Sequence, residues 1–155
     1  MKLVIGIGNP DVKYKNTRHN AGLMVVDELI SRGRVKDIVV KRSDKFMNNS
    51  GSFVLSQYTK YHIQYTDLYV VHDDLDIPLG SFKIQFGKGP RVHNGLNDIY
   101  EKLGSSEFWH VRVGVDSRDP ENRAKGQDYV LKDFTNEEKI ILNGVIKQIC
   151  NQLTE

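Results

Sequence analysis

At 155 residues, with 39% hydrophobic and 27% charged side chains, the chain is long enough to bury a core as one domain over 1–155 without disulfide or metal staples. No apolar run approaches the ~20 residues of a membrane-spanning helix, and the single cysteine, Cys150, excludes an internal disulfide. The net charge is only +2, but residues 1–60 carry eleven Lys/Arg against five Asp/Glu, while residues 61–85 carry one Lys against four Asp. A basic flank beside an acidic centre is compatible with a nucleic-acid ligand and equally with an ordinary solvated surface.

Lys2 to Ile7 is a short apolar run ending in Gly6-Ile7-Gly8-Asn9-Pro10, a strand entering a loop. The strand begins so early that it leaves no room for a signal or transit peptide, and the cytoplasm is the expected compartment. From Ala21 to Arg32 the spacing of Leu23, Val26, Leu29 and Ile30 predicts a helix, with Asn20 as N-cap and Gly33 as stop. Asp37 to Lys41 reads as a brief strand, and Ser50 to Tyr61 as a helix. Asp67 to His72 reads as a buried strand that ends in an acidic loop. Alternation of Phe82, Ile84 and Phe86 predicts a strand with one wet side. Asn94 to Leu103 is a predicted helix closed by Gly104, and Phe108 to Val115 a further strand. Residues 116–126 form a polar loop. Thr135 and Glu138 make a capping box for a last helix whose Leu142, Val145, Ile146, Ile149 and Leu153 face the core, with Cys150 in the same apolar pattern.

Strands alternating with helices predict an α/β fold, a mixed and mostly parallel sheet with helices on both faces. Sites in such sheets collect beyond the carboxyl ends of the strands. Asn9, Asp73 and the pair His93-Asn94 all fall there. His19 is the best candidate base, because imidazole titrates near neutral pH. Asp73 can fix its tautomer if the loops converge, and Asn9, Asn48 and Asn94 can orient amides or stabilise an oxyanion without adding charge. Simpler readings stand beside these: a histidine before a helix as a cap, Asn9-Pro10 as a turn, Asn20 and Asn94 as helix caps, Asp73 to Asp76 as a solvated loop. His72, Asp73, Asp74 and Asp76 have metal-ligand chemistry but no established ligand spacing, and no cofactor is expected. Gly6-x-Gly8 opens like a dinucleotide fingerprint, but Asp11 stands where the third glycine belongs.

Four blocks in register resemble bacterial-type peptidyl-tRNA hydrolase: Tyr14-x-x-Thr17-Arg18-His19-Asn20-x-Gly22, Phe46-Met47-Asn48-x-Ser50-Gly51, His72-Asp73-x-Leu75-Asp76 and Gly89-x-x-x-His93-Asn94-Gly95-Leu96. The resemblance runs from Lys2 to about Leu131. It implies hydrolysis of the ester between a peptide and the 3′ end of tRNA, with His19 activating water, Asp73 supporting it and Asn9 positioning water and substrate. It implies that Tyr14, Met47, Asn48, His93 and Asn94 line the substrate cleft. Arg112 matches a basic position used for tRNA contact, and Lys88, Arg91, Arg123 and Lys125 are looser candidates for the same task. The implied partner is peptidyl-tRNA through its acceptor end, bound by a monomer with no membrane attachment. The chain departs from the family in a shorter stretch between Gly33 and Phe46, a less glycine-rich loop over 87–92, and a short C-terminus. The rival readings are a non-catalytic RNA-binding protein on the same scaffold, of the plant organelle splicing-factor kind, and a metal-dependent hydrolase using the acidic segment.

Overall fold

Parallel strands need long crossovers, and the helical segments between the apolar runs supply them. A computed structural model describes residues 1–121 and 123–155. Its main elements are β1 (Lys2–Gly6), α1 (Ala21–Ser31), β2 (Ile38–Arg42), α2 (Ser50–Tyr61), β3 (Leu68–Pro78), β4 (Phe82–Phe86), α3 (Asn94–Leu103), β5 (Trp109–Asp116), α4 (Gly126–Tyr129) and α5 (Asn136–Leu153). They build one sheet in the order β2-β1-β3-β5-β4, with β4 antiparallel to β5 and the other pairs parallel. The mixed, mostly parallel α/β architecture expected from the sequence is the one found.

Alternation along the strands divides the core in two. Val4, Val71, Val111, Val113 and Val115 pack under α1 and α5. Leu3, Ile5, Val70 and Phe108 pack under Val54 of α2 and Leu96 and Ile99 of α3. Cys150 lies fully buried in the first of these cores, as its helical pattern predicted. The capping box of α5 also forms: the Thr135 hydroxyl accepts from the Glu138 amide and the Glu138 carboxylate from the Thr135 amide. Among the described residues no helix is long and apolar enough to cross a membrane.

Three local expectations are corrected. The acidic segment after His72 is not a loop: β3 continues to Pro78, and Asp73 and Asp74 pair in register with Val113 and Gly114 of β5. Their side chains are buried because each carboxylate finds a partner on another element, which composition cannot reveal. Asn20 sits at the start of α1 but makes no capping bond; its carboxamide instead clamps the loop after β1. The stretch read as polar loop ends in the short helix α4.

The approach of α1 to β3 is fixed at Gly22, where a Cβ would stand 2.2 Å from the carbonyl oxygen of Val71. This contact lies three residues from His19 and two from Asp73, so it sets how closely those segments meet. Replacing Gly22 with Ala therefore forces α1 outward, and overpacking of this kind costs about 1–3 kcal/mol. The expected result for Gly22→Ala is a lower urea midpoint with an unchanged slope, and reduced activity. An unshifted midpoint would show that the helix–sheet distance is not set here.

Candidate active site

The site assembles from the end of β1, the middle of β3 and the residues leading into α1, α2 and α3. Its centre is Asp73, 2% exposed, on the β3 face that looks toward α1. One carboxylate oxygen lies 2.8 Å from Nδ1 of His19 and the other 2.8 Å from Nε2 of His93. Nδ1 of His93 accepts from the amide of Leu96 at 3.1 Å, making His93 the N-cap of α3. A nitrogen that accepts carries no proton, so the His93 proton sits on Nε2 and is donated to Asp73. The same logic puts a proton on Nδ1 of His19 and leaves Nε2, across the ring, for the cavity that His19 lines.

Electrostatics follow from this arrangement. Burial alone would raise the Asp73 pKa, but the two imidazoles hold it well below the ordinary carboxylate range. Burial pulls the His19 pKa down, yet the charge and hydrogen bond of Asp73 outweigh it, and the net shift is upward from 6.5. The His19 imidazole is therefore more basic than a free one.

Asn20 shapes the loop after β1 by accepting from the amide of Asn9 at 2.7 Å and donating to the carbonyls of Asn9 and Tyr14 at 2.9 and 2.8 Å. Asn9 in turn accepts through Oδ1 from the amide of Met47 at 2.8 Å, which turns its NH2 group toward the cavity. That cavity, of about 610 Å3, is lined by Asn9, Tyr14, His19, Met47, Asn48, Asp73, His93 and Asn94. Every catalytic and substrate-lining candidate singled out in the sequence meets there. Phe46, Leu75, Val92, Gly126, Gln127, Val130 and Leu131 complete the wall. The last four were not anticipated, since α4 had no periodic signature. A separate cavity of about 650 Å3 beside β2 brings together neither imidazole nor carboxylate and has no comparable chemistry.

The basic candidates divide differently. Lys88 and Lys125 are exposed. Arg91 is exposed and paired with Asp76, and Arg123 is about half exposed and paired with Asp116. Arg112 is 5% exposed, with Nε 2.7 Å from Asp74 and Nη1 2.7 Å from Gln85. Strand parity turns it to the α3 side, beside buried His72 and His110, where its charge answers Asp74.

The acidic segment does not form a metal centre either. Asp74 is taken by Arg112, Asp76 by Arg91 and Asp73 by two histidines. His19, Asp73 and His93 do bring ligand atoms within 4.8 Å of one another. The bond from Leu96, however, keeps the proton on the very His93 nitrogen that a metal would need.

An α/β scaffold whose strand ends gather a carboxylate-backed imidazole and several carboxamides around one cleft has the parts of a general-base hydrolase. The family profile described as peptidyl-tRNA hydrolase matches residues 3–155. The peptidyl-tRNA hydrolase of Sulfurihydrogenibium sp. (strain YO3AOP1) is 36% identical over 164 residues, covering 94% of this chain and 85% of that protein. That of Bacillus cytotoxicus is 32% identical, covering 100% and 92%. The crystal structure of peptidyl-tRNA hydrolase from Acinetobacter baumannii is similar with a TM-score of 0.83 at 26% identity, covering 97% and 85%. The chain belongs to the peptidyl-tRNA hydrolase family.

Because His19 must be neutral to accept a proton, the acidic limb of the wild-type kcat/KM profile is expected above pH 6.5, the value from which its pKa is raised. In Asp73→Asn the raising charge is lost while burial remains, so the limb moves to lower pH and kcat falls roughly 10²–10⁴-fold. The check is a pH–rate series on both proteins. Coincident limbs would separate Asp73 from the base.

Proposed function

We propose that this protein hydrolyses the ester joining a peptide, or an N-blocked amino acid, to the 3′ end of tRNA, freeing the tRNA for reuse. The observation that carries the reading is the 2.8 Å contact of His19 with buried Asp73 at the wall of a cleft edged with carboxamides, in a chain of this family. His19 Nε2 takes a proton from water, and the hydroxide so formed attacks the ester carbonyl. The tetrahedral oxyanion is met by N–H donors from Asn9 and from exposed Asn48 and Asn94. Collapse breaks the bond to the ribose oxygen, to which the imidazolium returns its proton. The products are a peptide carboxylate and a tRNA with a free terminal hydroxyl.

An aminoacyl ester is activated relative to an amide, so one positioned base and oriented dipoles suffice. Contacts of Asn48 and Asn94 with peptide backbone account for sequence tolerance, since every peptide presents the same N–H and C=O groups. Lys88, Arg91, Arg123 and Lys125 are assigned to phosphates of the acceptor end, with Arg112 held behind them on Asp74. The protein is proposed to work as a monomer in the cytoplasm. A purely RNA-binding role on this scaffold has no use for a buried carboxylate that sets the tautomers of two histidines.

His19→Ala is expected to abolish peptide release from N-acetyl-aminoacyl-tRNA while tRNA affinity, followed by filter binding, stays within about twofold. Full turnover by that variant would remove the proposed base. Activity is also expected to survive EDTA. Inactivation reversed by an added divalent cation would instead point to a metal-assisted route.

A further inference from the structure

We propose that the buried ion pair between Arg18 and Glu138 is a positioning device for the reaction, fixing where the imidazole of His19 stands in the cleft. The proposal rests on the reading of His19 as the base.

The two residues are 120 positions apart, 6% and 8% exposed, and joined at 2.7 Å between Nη2 and Oε1. Arg18 reaches further: Nη1 donates to the carbonyls of Tyr129 and Lys132 at 3.3 Å each, and the guanidinium lies 4.0 Å above the ring of Tyr129. The backbone on either side is tied to the same segment, with the amide of Arg18 bonded to the carbonyl of Lys132 and that of His19 to the carbonyl of Val130. His19 therefore hangs from a short turn stapled to residues 129–132. The staple is referred in turn to α5 through Glu138.

Helix capping does not account for this pair. The capping box of α5 needs only Thr135 and the carboxylate of Glu138, and it would form with that carboxylate in water. Here the carboxylate is buried and also accepts from the hydroxyl of Ser117. Burying a charge pair costs several kcal/mol that its own attraction barely offsets, so stability alone gives little reason for it. What the pair does supply is direction. A planar guanidinium held by a carboxylate, two carbonyls and an aromatic face anchors residue 18 to 129–132 and to α5, and the next residue in the chain is His19. The groups facing the His19 ring are Asp73 from β3 and His93 from the start of α3. A turn that drifts lengthens the contact with Asp73 first.

The test uses Glu138→Gln, which keeps an acceptor for Thr135 but removes the charge, and Arg18→Lys, which keeps the charge but loses the fork. Both are assayed on N-acetyl-aminoacyl-tRNA and titrated by NMR at the His19 imidazole. The expected result is a kcat lower by roughly tenfold to a hundredfold with KM within about twofold, since an ångström-scale misplacement of a reacting group has that effect. The acidic limb and the His19 titration are both expected to move to lower pH, because burial persists while the influence of Asp73 weakens. A purely structural pair would lower the melting temperature and leave kcat per folded molecule and the His19 titration as in wild type; that result overturns the proposal. If Glu138→Gln does not fold, Arg18→Lys decides on the same readouts. An active wild type with an inactive His19→Ala, together with unmoved titrations in the pair variants, rejects the positioning role alone. A wild type that releases no peptide rejects the hydrolase reading instead.

Discussion

The buried carboxylate of Asp73 constrains the rest of the site. A carboxylate taken out of water loses several kcal/mol of solvation after relaxation, and each hydrogen bond to a charged group returns only about 1.5–3 kcal/mol. Two imidazoles therefore offset more of that loss than one could. That balance explains why His93, which lines the cleft, is also turned onto Asp73 by its capping bond with Leu96. The start of α3, the turn before α1 and the end of β3 are locked to one another through a single side chain. Its negative charge is also what makes His19 a stronger base.

The opposite face of the same strands carries polar groups with a different task. His72, Asp74, His110 and Arg112 point away from the cleft, toward α3. Burial pushes the pKa of His72 well below 6.5 and that of His110 to about 4, so both stay neutral at physiological pH. His110 accepts from the hydroxyl of Tyr100, and Arg112 closes on Asp74 and Gln85. Titration near neutrality in this region is thereby left to the face that meets the substrate. Period-two alternation along β3 is enough to separate the carboxylate at 73, which meets the two cleft histidines, from the one at 74, which meets Arg112.

Much of this was legible in the sequence, for reasons that can be stated. The helices over 21–31, 50–61, 94–103 and 136–153 have apolar spacing that burial against a sheet demands, and the Thr135–Glu138 box marks its own helix. Asn9 and the four blocks that carry His19, Asn48, Asp73 and Asn94 fall beside strands or at helix starts, where an α/β sheet gathers its loops. What stayed hidden was every feature that depends on a distant partner. Asp73 and Asp74 look solvated until two histidines are seen to meet the first and Arg112 the second. Nothing in the sequence shows that strand parity turns Arg112 onto Asp74. Arg18 and Glu138 are unremarkable apart, and a helix as short as α4 has too few turns to leave a periodic trace.

The distribution of charge between the cleft and its rim links the chemistry to the size of the substrate. Among the described residues, the lining of the cleft includes no Lys or Arg. A developing oxyanion there meets carboxamide and backbone donors rather than a fixed cation, which spares the site from trapping the carboxylate product by strong ion pairing. The cations stand one residue outside: Arg91 precedes lining residue Val92, and Lys125 precedes lining residue Gly126. On the proposal that these cations meet the tRNA, its phosphates stay in water, where attraction is screened and reversible, and the neutral dipoles inside the cleft are left to the ester.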